Sequence, residues 1–170
     1  MNETQQDLDR VQALLDHSYA TAGRHLRDVI TEERRITALQ LAELLPPVSL
    51  LTLATVSAAG HPISAPVDGI FFRGDFYVGS AADSAKFRHI TQRPSVSATY
   101  LPGEHLSVSV HGTAVFVDVN AATQQSFRQA LLDIYFPRYG PEWEDILAEA
   151  RYVRIDADKM FTFYMPDIDQ

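Results

Sequence analysis

The chain has no cysteine, only two lysines among its 170 residues, and no apolar run approaching the ~20 residues that a membrane-spanning helix needs. Without cysteine there are no disulfides, no thiolate zinc sites, no iron–sulfur clusters and no cysteine nucleophile. Residues 1–7 are acidic and amide-rich rather than basic then apolar, so they do not read as a secretory signal, and the expected location is cytoplasmic with no membrane partner. A formal net charge of −8 argues against nucleic acid or an anionic membrane as partner, so any bound anion must be held by a local cluster. Neither a HExxH motif nor a cluster of histidines and carboxylates occurs, and no metal is assigned. What is present is ordinary for a globular protein: 46% hydrophobic and 21% charged residues, in a length suited to one domain.

Residues 7–45 carry apolar side chains at helical spacing: Leu8, Val11, Leu14 and Leu15, then Tyr19, Leu26, Val29 and Ile30, with Gly23 as a weak point. Thr37 followed by Gln40 is a capping-box pattern for a last helix running through Leu39, Leu41, Leu44 and Leu45 to Pro46-Pro47. This extension, residues 1–45, is expected to pack over one side of a sheet, with a lid over a ligand cleft as the alternative. From Val48 the period changes. Val48 to Val56 is a β-favouring apolar run, residues 57–60 are a turn, and His61 to Phe72 is the return strand. Pro62 and Pro66 each remove a ladder donor, so part of that strand belongs at a sheet edge or a bulge. Such an edge can aggregate, or it can hydrogen-bond a flat heterocycle. Arg73-Gly74-Asp75 reads as a hairpin turn rather than an adhesion signal, and Phe76 to Ser80 is the third strand.

Two further strands, Ser95 to Leu101 and His105 to Asp118, follow, with Gly112 permitting a bend or bulge in the second. Asn120 is expected to cap a helix from Ala121 to Phe136 that Pro137 ends, and Pro141 to start a short helix through Trp143, Ile146 and Leu147. The last elements read as a strand pair, Tyr152 to Ile155 and Met160 to Met165, whose aromatic run is core by default and a subunit interface otherwise. The sum is an α+β fold: six to seven antiparallel strands in a Greek-key barrel with flanking helices, residues 46–170 forming the barrel domain and 1–45 packed on it.

One segment concentrates anion-binding donors. Ser80-Ala81-Ala82-Asp83 leads into Ser84, an N-cap for a helix carrying Phe87, His89 and Ile90 and ending at Gln92-Arg93-Pro94. A helix N-terminus presents unpaired N–H groups, and the Ser84 hydroxyl, Lys86 ammonium and Arg88 guanidinium complete a phosphate's needs. The alternative is a solvated basic helix face. His105, Ser107, Ser109 and His111 share one strand face, but His105 and His111 stand roughly 20 Å apart, too far to ligate one metal. His61, His89 and His111 read as hydrogen-bonded structural histidines, with a proton donor near a redox centre as the alternative.

The ordered set Leu53-Ala54-Thr55-Val56, Gly60-His61-Pro62, Pro66-Val67, Phe76-Tyr77-Val78, Ser84-Ala85-Lys86, Arg93-Pro94-Ser95-Val96 and Val110-His111-Gly112-Thr113-Ala114 resembles the pyridoxamine 5′-phosphate oxidase-like FMN-binding split barrels over residues 48–118. The resemblance implies a split β-barrel, a homodimer with two cofactor sites at the subunit interface, and a cofactor phosphate near Ser84 and Lys86. It further implies that Val67 and Asp68 offer main-chain groups to the flavin ring, that Tyr77, Val78 and Ser80 lead into the phosphate loop, and that Ser107 reaches the cofactor. Ala65, Ile70 and Ala85 stand where the vitamin-B6 oxidases carry basic residues, and Phe163-Tyr164-Met165-Pro166 lacks their substrate-binding arginine motif, which argues against pyridoxamine phosphate as substrate.

The resemblance therefore points to a flavin-dependent oxidoreductase acting on a small-molecule redox substrate, with FMN first, the deazaflavin coenzyme F-420 second and heme third. Hydride chemistry would belong to the cofactor, so no catalytic side chain is assigned. The competing class is a non-catalytic carrier or sensor of flavin or heme. The substrate pocket is expected between the N-terminal helices and the segment from Tyr135 to Trp143.

Overall fold

The computed structural model describes residues 2–165. Six antiparallel strands, β1 Ser49–Val56, β2 Pro62–Phe72, β3 Asp75–Ala81, β4 Ser95–Gly103, β5 Leu106–Val117 and β6 Ala150–Tyr164, close into a barrel in the order β1-β2-β3-β6-β5-β4. Helices α1 Gln5–Ala20, α2 Arg24–Val29 and α3 Ala38–Leu44 precede the barrel, α4 Ala85–Gln92 joins β3 to β4, and α5 Gln125–Tyr139 with α6 Trp143–Glu149 joins β5 to β6. No helix among the described residues is long and apolar enough to cross a membrane.

Local chemistry accounts for the turns. Arg73 and Gly74 both sit at positive φ, 53° and 80°, in a two-residue loop closed by the Phe72–Asp75 pair, which matches the twist of the flanking strands. Helix α1 holds this turn: the Arg10 guanidinium donates to both Asp75 carboxylate oxygens at 3.0 Å and to the Arg73 carbonyl at 2.6 Å, and Asp7 lies 3.7 Å from Arg73. The Thr37–Gln40 capping box forms as the sequence indicates, and Gly23, the N-cap residue of α2, separates it from α1.

Three expectations are corrected. The final strand pair is one strand, β6, because the polar residues 156–159 that read as a turn form a bulge opposite Gly112 while both flanks stay paired with β5. A side chain at Gly112 would begin 2.1 Å from the Asp156 carbonyl oxygen, so glycine is what lets the strands pass. Pro137 does not end α5. It sits in the last turn, where little of the helix remains to be disrupted, and Gly140 at φ 77° terminates the helix. Asn120 is not its cap either, since a short 3-10 turn, Ala122–Gln124, intervenes and the Asn120 N–H goes to the Asp118 carboxylate at 3.0 Å.

Strand alternation sorts the buried side chains into two cores. Leu51, Leu53, Val67, Phe76, Val78, Val108 and Val110 fill the barrel, which Val11, Leu15, Tyr19 and Leu41 of the N-terminal helices close. Ile70, Phe72, Tyr77 and Tyr152 face outward from β2, β3 and β6 and pack beneath Phe127, Leu131, Tyr135, Trp143 and Leu147 of α5 and α6.

Candidate functional site

The β2–β3 ladder runs from Phe72–Asp75 to Gly69–Val78 and stops. The next residues in register, Asp68 and Gly79, have no ladder partner across the gap, although β2 continues against β1 to Pro62 and β3 continues against β6 to Ala81. This is the split. Pro62 and Pro66 share the parity of Ser64 and Asp68, and a complete ladder to β1 puts their donorless nitrogens on the gap side. The edge expected from the prolines is therefore present, with Ser64 and Asp68 as its remaining donors on that side.

On the barrel side of the split lies a polar notch. Ser84 is the N-cap residue of α4, yet its hydroxyl caps nothing: Oγ is buried and has no hydrogen-bond partner. Lys86 Nζ donates to Ser80 Oγ at 3.3 Å, which leaves ammonium protons to spare and brings Ser80, Ser84 and Lys86 to one place. Val67 and Val78 are buried in the barrel core, so their side chains do not line the notch. The Arg88 guanidinium donates to the carbonyl of Asp83, the residue before Ser84.

The outer side of the same split opens into a cavity of about 810 Å³ between the ends of β2, β3 and β6 and the helices α5 and α6. Tyr135 stacks on Trp143 at a centroid separation of 4.4 Å and an angle of 15°, and on Tyr139 at 6.1 Å and 27°, making an aromatic stack along the cavity. The Tyr135 hydroxyl donates to Asp68 Oδ2 at 3.0 Å. Burial, and then the Asp68 carboxylate, push both the Tyr135 and the Tyr152 hydroxyl well above their ordinary range, so both remain protonated donors. A side chain at Gly79 would begin 2.6 Å from the Tyr152 ring; its absence lets that ring lie across β3 at the mouth of the split.

The expected site residues thus divide. Ser80 and Lys86 come together two residues from Ser84, with Val67 and Val78 in the barrel core, and Ser80 lines the cavity together with Asp68. Tyr77 is buried in the outer core, its ring 4.0 Å from that of Phe127. Ser107 is not brought near: it pairs with Phe163 on β6, whereas Ser80 pairs with Arg151, twelve residues away by 163 minus 151, or roughly 40 Å of strand at ~3.3 Å per residue. His89 and His111 are hydrogen-bonded through Nδ1 to Thr55 at 2.9 Å and to Ser97 at 2.7 Å, as structural histidines would be. Among the described residues no group of three or more histidines and carboxylates is placed to hold a metal ion.

The segment from Tyr135 to Trp143 lines the cavity as expected, but the N-terminal helices do not. Gly79, Tyr152 and Glu149 were not legible as lining residues; the only hint was an aromatic at the start of the last strand, which reads equally well as core.

Solved structures share this architecture. A conserved hypothetical protein, Rv2991, from Mycobacterium tuberculosis is 18% identical with a TM-score of 0.66, over 82% of this chain and 92% of that one. A FAD-binding protein from Mesorhizobium loti is 19% identical with a TM-score of 0.55, over 75% and 94%, and an F420 reductase is 20% identical with a TM-score of 0.53, over 69% and 93%. At such identities the likeness is one of fold. No curated protein matches the chain. The family model described as pyridoxamine 5′-phosphate oxidase matches residues 39–164, which takes in α3, all six strands and the split between β2 and β3. The chain therefore belongs to the pyridoxamine 5′-phosphate oxidase family.

Proposed function

We propose that this chain binds FMN and works as a flavin-dependent oxidoreductase on a small-molecule substrate other than pyridoxamine phosphate. The observation that carries the reading is the buried, unpartnered Ser84 Oγ at the N-terminus of α4, beside the Lys86–Ser80 pair. A buried hydroxyl without a partner is costly, and a phosphate oxygen placed there would accept from it, from Lys86 and from the first N–H groups of α4. The family's flavin-binding members and the FAD-binding and F420-reductase neighbours support the same class of cofactor.

When bound, the flavin supplies the hydride chemistry. The chain's own residues bind and orient. Ser80, Ser84 and Lys86 hold the phosphate, and the main chain at Asp68 lies along the free edge of β2, where a flat ring can hydrogen-bond. The apolar walls of the split keep water from the ring.

A second copy of the chain fits this reading. Leu50 and Leu101, each 64% exposed, lie one position past the Leu51–Tyr100 pair that ends the β1–β4 ladder, and Leu50 pairs with Asp68, so exposed apolar side chains run up to the split. A homodimer formed on that stripe would wall the cofactor, and would let Ser107 act from the partner subunit.

Purification followed by gel filtration tests the proposal. The expected result is a yellow, FMN-containing dimer whose colour bleaches under reductant and returns with an electron acceptor. A deazaflavin spectrum would change the cofactor, a Soret band would replace it with heme, and a bound flavin that never turns over would make the protein a carrier.

A further inference from the structure

Among the described residues, ten of the chain's twelve arginines pair with a carboxylate or donate to a main-chain carbonyl. Arg138 and Arg151 do neither. Arg138 sits in the last turn of α5, where a cation meets the carbonyl end of the helix, and it lines a separate hollow with Leu45, Pro46 and Phe71. Arg151 has no such role. It is the second residue of β6 and stands directly across from Ser80 of β3. Ser80 shares its strand face with Phe76 and Val78, and Arg151 shares its face with Val153 and Ile155, so both side chains leave the sheet on the barrel side. Cross-strand partners lie about 5 Å apart at Cβ. Ser80 Oγ is the atom that Lys86 Nζ bonds, so an uncommitted guanidinium stands beside the Ser80–Lys86 pair.

We infer that Arg151 is the second cation of the phosphate notch, and that with Lys86 it selects a terminal phosphate, a doubly charged monoester, over the singly charged phosphate of a diester. The inference deepens the flavin reading and rests on it for the identity of the ligand. A terminal phosphate carries close to two negative charges at neutral pH, with its second ionisation near pH ~6. Lys86 balances one of them. In a chain of net charge −8 the other needs a further cation at the same place, and a guanidinium presents a planar fork of donors to phosphate oxygens. The carboxylates around the notch do not occupy Arg151. Asp118, one position past the Val117–Tyr152 pair on β5, accepts the Asn120 N–H at 3.0 Å, and none of Asp83, Asp118 and Glu149 forms an ion pair with Arg151.

The test is equilibrium dialysis of the full chain, freed of flavin, against FMN, the methyl ester of FMN and riboflavin, which share one ring and differ only in the charge of the tail. Arg151→Gln should weaken FMN about tenfold and the other two less than about twofold. Arg151→Lys should recover most of that loss, and Arg138→Gln, which removes the same charge elsewhere, should change nothing. The ratio of FMN to methyl-ester affinity should fall as pH drops from about 8 to about 5, and Arg151→Gln should flatten the fall. Charges at Asp83, Asp118, Glu149 and His89 act on both esters, so the ratio is what is read. Equal weakening of all three flavins marks a structural role and overturns the inference, as does unweakened FMN or a matching loss in Arg138→Gln. A chain that takes up no flavin sinks the flavin reading, and inorganic phosphate followed by phosphorus NMR then decides the inference. Phosphate binding that Arg151→Gln weakens supports it; binding indifferent to Arg151, or none, overturns it.

Discussion

Beyond Ile155, β6 runs on without β3 beside it, and helix α1 fills the gap: Ser18 Oγ accepts the Met160 N–H at 3.0 Å, and the Tyr19 hydroxyl accepts the Thr162 N–H at 3.0 Å while bonding Thr162 Oγ1 at 2.6 Å. Beyond Gly69, β2 also runs on without β3, yet no side chain among the described residues reaches the gap-side main chain of Ser64, Pro66 or Asp68. One edge is sealed by a helix and the other is left open, its donors thinned by two prolines. Unpaired strand edges invite association with other chains, so a protein that covers one and merely blunts the second is keeping the second available. The open edge is also where the orphaned Ser84 hydroxyl and the aromatic cavity lie.

Substitutions can break either side of this contrast. The largest effect is expected from Leu15→Ala, which removes a fully buried side chain where α1 packs on the barrel: about 2–5 kcal/mol of stability, seen as a lower urea midpoint, together with aggregation as the β6 edge is exposed. Loss without aggregation would mean α1 is not what protects that edge. Lys86→Ala acts on the open side. It should weaken FMN retention by about 1.5–3 kcal/mol in equilibrium dialysis and leave the unfolding midpoint of the cofactor-free protein in place. Unchanged retention would remove Lys86 from the phosphate site.

Tyr19→Phe leaves the Thr162 N–H and hydroxyl without their bond inside the barrel closure and should cost about 1–3 kcal/mol, with no change in flavin binding. The smallest effect concerns Asp7 at the turn that α1 clamps. Burial alone would raise its carboxyl, but hydrogen bonds from Thr4 and the charges of Arg73 and Arg10 outweigh that and hold it below the usual carboxylate range. A depressed folded-state value adds stability that is present above the unfolded pKa and is lost as pH falls through the folded one. Asp7→Asn should therefore cost less than about 1 kcal/mol at neutral pH, shrinking to nothing in acid, when chemical melts are compared across pH.

Much of the open edge was legible without coordinates, because its signals are local. Pro62 and Pro66 announce an edge wherever they fall in a strand, Arg73-Gly74 announces a two-residue turn, and Ser84-Ala85-Lys86 after a strand announces an anion-binding helix start. The sealed edge was not legible. Ser18 and Tyr19 look like ordinary residues of an amphipathic helix, and their partners lie more than a hundred positions away on β6. The same distance in sequence hid the cavity, since the Tyr135–Asp68 bond and the fit of the Tyr152 ring over Gly79 each join elements that meet only once the barrel has closed. Residues 156–159 misled for the complementary reason: polar composition reads as a turn, and only the presence of Gly112 opposite lets a strand carry such residues as a bulge.

By itself, then, the sequence determined what the backbone's own sterics and the period of apolar side chains enforce: the strands and helices, the glycine and proline positions, the proline-blunted edge and the basic helix start beside it. Tertiary closure alone decided that Ser84 would keep its hydroxyl unbonded, that Lys86 would meet Ser80, and that carboxylates and aromatic rings from β2, α5 and α6 would enclose one acidic cavity. Those outcomes depend on register between strands far apart in the chain, and a one-residue slip in that register would turn Asp68 and Ser80 to the opposite face.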